Sequence, residues 1–146
     1  MDFESWRKAG VSLGSGALLI CDERTCVVDL AKVLLTFFRF ESCAKCNPCR
    51  TGTRRMYDIV NAIASGQGTL EELSELQSYG MDMEQLSNCG LGQTAAVAVR
   101  DILKHFRKEV EEHIVEHTCR AGVCKLAKPE GIEQEMPAEQ LTMEAL

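Results

Sequence analysis

The sequence predicts a mainly α protein, a four-helix bundle preceded by a short β segment. Three observations carry that prediction. Apolar residues recur at helical spacing in four stretches of the 146-residue chain, joined by connections short enough to set neighbouring helices against one another. Glycines and one Thr–Glu pair fall where those stretches stop and start. One apolar run near the N-terminus is short and bounded by turn residues instead, the mark of a strand.

That run comes first. Gly10 to Gly16 is rich in Gly and Ser, and Ala17, Leu18, Leu19, Ile20 and Cys21 then lead to the turn-like Asp22-Glu23-Arg24. A single strand is not a stable sheet, so it either pairs with residues the sequence does not reveal or completes a sheet of another subunit. Cys21 reads as a buried strand thiol. The glycines do not form a phosphate loop, because no Lys-Ser/Thr follows and G-x-G-x-x-G spacing is absent.

Val27, Leu30, Ala31, Leu34, Phe37 and Phe38 form the stripe of a first amphipathic helix. Met56, Ile59, Val60 and Ile63 carry a second, stopped by Gly66 and Gly68. Thr69 with Glu72 is a capping box for a third, short helix with Leu70, Leu73 and Leu76 before Gly80. After the Gly90-Leu91-Gly92 turn, Ala96, Val99, Leu103, Phe106, Val110 and Ile114 line one face of a fourth helix of about six turns. Lys128 to Leu146 carries five Glu against one Lys, with Pro129 and Pro137, and reads as an exposed acidic tail with a short docking helix from Pro137. The domain reading is therefore an N-terminal β-containing segment over 1–28, the bundle over 29–118 and a Cys-containing acidic tail over 119–146.

A formal net charge of −6 argues against nucleic acid as a general partner, and no apolar run approaches the roughly 20 residues of a membrane span. No signal peptide is legible, so the eight cysteines are expected in a reducing, cytoplasmic setting. The chain is short for an enzyme holding both substrate and cofactor, and no triad-like set of Ser, His and carboxylate residues stands out, so no catalytic residues are assigned.

Chemistry concentrates in the cysteines. Cys43-x-x-Cys46-x-x-Cys49 presents three thiols from one turn, and Cys89 returns from far downstream, the three-plus-one ligand pattern of a [4Fe–4S] cluster. Pro48 stiffens the turn, and Lys45, Arg50, Arg54 and Arg55 place positive charge around it. Four thiolates also suit structural zinc, but zinc sites more often pair two short Cys-x-x-Cys units. His113 and His117 precede Cys119 and Cys124, a mixed His/Cys set of the kind zinc takes; the alternative is that these side chains simply face solvent.

At Glu41-Ser42-Cys43-Ala44-Lys45-Cys46-Asn47-Pro48-Cys49-Arg50-Thr51-Gly52, and again at Cys89-Gly90-Leu91-Gly92-Gln93, the chain resembles the C-terminal cluster domain of the flavin-bearing NADH-oxidising subunit of respiratory complex I. The segment Asp22-Glu23-Arg24-Thr25-Cys26-Val27-Val28-Asp29 and the later Cys119-Arg120-Ala121-Gly122-Val123-Cys124 look closest to the version in soluble NAD(P)-linked [FeFe]-hydrogenases. The resemblance implies that Cys43, Cys46, Cys49 and Cys89 ligate one [4Fe–4S] cluster, and that Cys26 joins His113, Cys119 and Cys124 around one zinc ion. Ala44 departs from the glycine usual in that family. Family members carry a long flavin- and NADH-binding domain ahead of this region, for which Met1 to Gly10 is too short, so this chain alone is expected to bind neither FMN nor NAD.

The functional expectation is an electron-transfer subunit passing single electrons between cofactors on partners of flavoprotein, ferredoxin-like or hydrogenase type. The rival is a structural adaptor whose metal site staples a docking surface without redox turnover.

Overall fold

The computed structural model describes residues 3–10, 16 and 18–127. Among these the regular structure is all helix: α1 (Phe3–Lys8), α2 (Val27–Glu41), α3 (Asn47–Ala64), α4 (Leu70–Leu86), α5 (Gly90–Ala95), α6 (Val97–His105) and α7 (Arg107–Val115). Helix α3 is central and packs on α2, α4, α5 and α7. Leu35, Met56, Ile59, Ile63, Leu73, Leu76 and Met83 are fully buried between these helices and form the middle of the core.

The capping signals act as read. Gly66 takes φ +77° beyond the end of α3; its N–H donates to Ile63 O at 3.1 Å, and Gln67 N–H reaches Ala62 O at 2.8 Å. This is the Schellman pattern, satisfying carbonyls that the helix end would leave unpaired. At the start of α4, Glu72 N–H donates to Thr69 Oγ1 and Thr69 N–H to the Glu72 carboxylate, the reciprocal capping box.

Several expectations need correction. No strand exists among the described residues: Leu18, Leu19 and Ile20 have no regular structure and are 68%, 66% and 85% exposed, and Cys21 is exposed rather than a buried strand thiol. The run has no ladder partner among the described residues, and without one it gains nothing from the extended form. In α2 the buried positions are Val28, Ala31 and Leu35, with Phe38 partly buried, whereas Phe37 is exposed. Apolar residues occur around most of this helix, so spacing alone does not fix which face turns inward.

Helix α4 does not stop at Gly80 but runs to Leu86. A β-carbon at Gly80 would lie 3.5 Å from Ala96 Cβ, an ordinary contact, so this buried glycine neither ends the helix nor is demanded by its neighbours. The fourth predicted helix is three. Ala96 keeps helical angles between α5 and α6, and Arg100 N–H still reaches Ala96 O at 2.9 Å, but Phe106 (φ −127°, ψ 23°) leaves the helical region and ends half exposed, not in the core. The acidic tail and its helix from Pro137 lie outside the described residues.

Candidate metal centres

The cysteine turn is partly helix. Pro48 sits in the first turn of α3, where a missing N–H costs no intrahelical bond, so the helix starts at Asn47 with Cys46 as its N-cap and Cys49 inside its first turn. Cys43 lies in the preceding loop, and Cys89 is the N-cap of α5.

The two loops meet. The Asn88 N–H, and next the Cys49 N–H, point at Cys46 Sγ and hold its thiol below its ordinary pKa. Cys49 is buried, and burial pushes its pKa up; Ser42 opposes this, while the charges of Cys46, Cys89 and Cys43 add to it. The other three predicted cluster thiols are thus each within electrostatic reach of Cys49. Ser42 Oγ lies 3.3 Å from Cys49 Sγ and accepts the Ala44 N–H at 3.2 Å. A deprotonated Cys49 sulfur only accepts, so in that state the Ser42 hydroxyl is the donor of this bond. Ala44 itself takes φ +57°, the conformation that makes glycine usual at this point.

Space around Cys49 is shaped by Gly92, where a β-carbon would come within 3.0 Å of Cys49 Cβ and 2.5 Å of Ser87 Oγ. Ser87 is buried and its Oγ has no hydrogen-bond partner among the described residues. Thiols from two loops, a tightly packed Gly92 and an orphaned hydroxyl are the donor chemistry an iron–sulfur group takes. The expected basic surround is less uniform: Arg50 donates to Asn47 Oδ1 at 3.2 Å, and Arg55 turns to Glu75 at 3.5 Å.

A second group gathers Cys26, His113, Cys119 and Cys124, whose ligand atoms all lie within 4.8 Å of one another. Cys26 is the buried N-cap of α2; His113 is buried on α7; Cys119 and Cys124 come from the segment after α7. Cys26 Sγ stands 3.2 Å from His113 Nε2 and 3.6 Å from Cys124 Sγ. Tetrahedral ligands around zinc with Zn–S bonds of about 2.3 Å bring sulfurs to about 3.8 Å, so the donor set and its spacing fit. His113 Nδ1 lies 2.8 Å from Glu109 O, which only accepts; Nδ1 therefore carries the proton and leaves the Nε2 lone pair facing Cys26. Burial of Cys119 is outweighed by the N–H groups of Cys124 and Val123, which lower its pKa, whereas burial and the Cys26 thiol raise that of Cys124.

His117 does not join this group; with φ +47° its Nδ1 packs toward Gly66 instead. Sequence reading missed Ser87, whose burial follows only from the folded loops, and the Glu109 carbonyl, since a backbone acceptor leaves no trace in the residue types.

Residues 29–113 match the family described as the NADH-ubiquinone oxidoreductase-F iron-sulfur binding region. The chain is 37% identical over 124 residues to the HndC subunit of an NADP-reducing hydrogenase from Solidesulfovibrio fructosivorans, covering 85% of this chain and 25% of that protein. It is 40% identical over 119 residues to the F 2 subunit of NADH-quinone oxidoreductase from Rhizobium meliloti strain 1021, covering 82% of this chain and 28% of the relative. A crystal structure of NAD+-reducing [NiFe]-hydrogenase in the H2-reduced state superposes with TM-score 0.62 and 36% identity over 64% of this chain and 16% of that one. The chain therefore spans about a quarter of the length of these curated relatives. With its cysteine loops, helical core and matched span in agreement, the chain belongs to the family of the NADH-ubiquinone oxidoreductase-F iron–sulfur binding region.

Proposed function

We propose that Cys43, Cys46, Cys49 and Cys89 hold one [4Fe–4S] cluster and that the chain relays single electrons between cofactors of partner redox subunits, of flavoprotein, ferredoxin-like or hydrogenase type. The observation that carries this reading is the meeting of two distant loops, with Asn88 N–H on Cys46 Sγ and the other three thiols within reach of Cys49. When bound, such a cluster supplies one-electron redox chemistry. The chain's own work is positional. Cys49 is sealed in the core, Ser42 supports its sulfur, and half-buried Cys46 with exposed Cys43 and Cys89 keep the outer side near the surface, where a partner approaches. No helix among the described residues is long and apolar enough to cross a membrane. Flavin and nicotinamide chemistry is assigned to other parts of the assembly.

We further propose that Cys26, His113, Cys119 and Cys124 bind one zinc ion with a structural role. The closed four-ligand set, drawn from the start of α2, from α7 and from the following segment, supports a staple rather than an open catalytic site.

The test is anaerobic purification, with metal and sulfide analysis and a reductive titration read by EPR. The reading expects about four iron and four acid-labile sulfide with about one zinc per chain, and a one-electron signal. Replacing Cys89 with Ser should remove the visible absorption. A cluster that stays EPR-silent down to strongly reducing potentials would favour the structural adaptor instead.

A further inference from the structure

We propose that the Ser87 hydroxyl donates a hydrogen bond to a sulfur of the iron–sulfur centre and raises its potential. The inference rests on the cluster assignment above. Ser87 is 5% exposed, and each of its polar groups can be followed. Its N–H donates to Met83 O at 3.2 Å at the end of α4. Its carbonyl accepts from Gln93 Nε2 at 3.0 Å. Its backbone is thus fixed on both sides, and the buried hydroxyl alone has no partner among the described residues. Orphaned buried hydroxyls are rare enough in native proteins that an unpaired one points to a group it serves.

Gly92 fixes what lies beside that hydroxyl. A β-carbon there would meet Ser87 Oγ at 2.5 Å, Ser87 Cβ at 2.6 Å and Cys49 Cβ at 3.0 Å. Ser87 and Cys49 therefore both pack on Gly92, a three-residue cluster that puts the hydroxyl near one proposed ligand and two residues before another. Ser42 already uses the same chemistry, a serine hydroxyl against Cys49 Sγ. The remaining acceptors expected in this niche are sulfurs. A donor favours whichever redox state carries more negative charge on sulfur, which is the reduced state, so its loss lowers the potential. Ser87 is a positioning and tuning residue in this account, not a ligand.

The experiment compares wild type, Ser87→Ala and Ser87→Thr, each reconstituted anaerobically, by iron and sulfide content and by EPR-monitored redox titration. With the cluster intact, Ser87→Ala should shift the oxidised-to-reduced ratio at fixed potential by about tenfold, a midpoint lower by about 59 mV for one electron, while Ser87→Thr stays near wild type. Loss of cluster in the Ala variant with retention in the Thr variant also supports the proposal, since only the hydroxyl separates them in donor capacity. Equal midpoints in wild type and Ser87→Ala, or equal displacement in both variants, would overturn it. Absence of iron and sulfide from wild type would instead remove the cluster assignment beneath it.

Discussion

Gly90 and Gly92 stand in the same Cys-Gly-Leu-Gly turn, yet the structure gives them opposite sensitivities. A β-carbon on Gly90 meets nothing within 4 Å. One on Gly92 falls 2.5 Å from Ser87 Oγ, 2.6 Å from Ser87 Cβ and 3.0 Å from Cys49 Cβ. Ordinary contacts begin near 3.4 Å, so the neighbours of Gly92 would have to retreat by nearly 1 Å. They are poorly able to, because Ser87 is held through its N–H and its carbonyl and Cys49 is inside a helix. Overpacking of this kind costs roughly 1–3 kcal/mol. Gly90→Ala, at the first position of α5, should instead be neutral or stabilising by up to about 1 kcal/mol, since alanine narrows the unfolded ensemble. Urea unfolding followed by circular dichroism reads the stability, and iron per chain with visible absorption reads the site. Gly92→Ala is expected to lose both stability and iron; Gly90→Ala should keep both. A Gly92→Ala protein with full stability and iron would refute the three-way packing, as would equal damage from the two substitutions.

Two further substitutions test local structure. Ala44→Gly should stabilise the chain by roughly 0.5–1 kcal/mol: a left-handed L-residue costs about 1–2 kcal/mol, and glycine's extra unfolded-state freedom returns about 0.4–1 kcal/mol of that. A lower urea midpoint for this exposed position would contradict the strain argument. Thr69→Ala removes one half of the capping box on α4 and should cost about 1 kcal/mol by the same assay, with Thr69→Ser near wild type.

The existence of helices was legible because three stretches carry unambiguous stops and starts, above all Gly66 and the Thr69–Glu72 pair. What was not legible depends on contacts. Gly80 reads as a stop, but it is buried in the interior of α4, where packing against the core carries the helix on to Leu86. Phe106 fits the apolar stripe, yet the chain turns out of helical angles at that residue and leaves it half exposed. The run Leu18–Cys21 looks like a strand by composition, and only the absence of a neighbouring strand among the described residues decides otherwise. The cysteines were the clearest signal, because thiol spacing is itself the chemistry. The groups around them, Ser42 excepted, gain meaning only once two loops are folded together.

The two proposed centres sit at opposite ends of α2, with Cys26 as its N-cap and Cys43 just past its C-cap Ser42. A helix of 15 residues is about 22 Å long. Losing zinc together with its thiolates changes the local charge by about one unit, and one charge at about 22 Å in water is worth about 0.2 kcal/mol before salt screening. That corresponds to less than about 10 mV for one electron. Cys26→Ser should therefore lose zinc and the hydrogen-exchange protection of the segment from Cys119 to Ala127, while α3, α4 and the cluster midpoint stay as they were. The far end of that segment is also tied to α3, by Ala127 N–H on Ser65 O at 2.9 Å, so loosening should be greatest around Cys119 to Cys124. A midpoint shift of several tens of millivolts on zinc loss would be too large for charge at that distance. It would mean that α2 transmits a mechanical change between the two sites, and that the zinc centre tunes electron transfer rather than merely fastening the bundle.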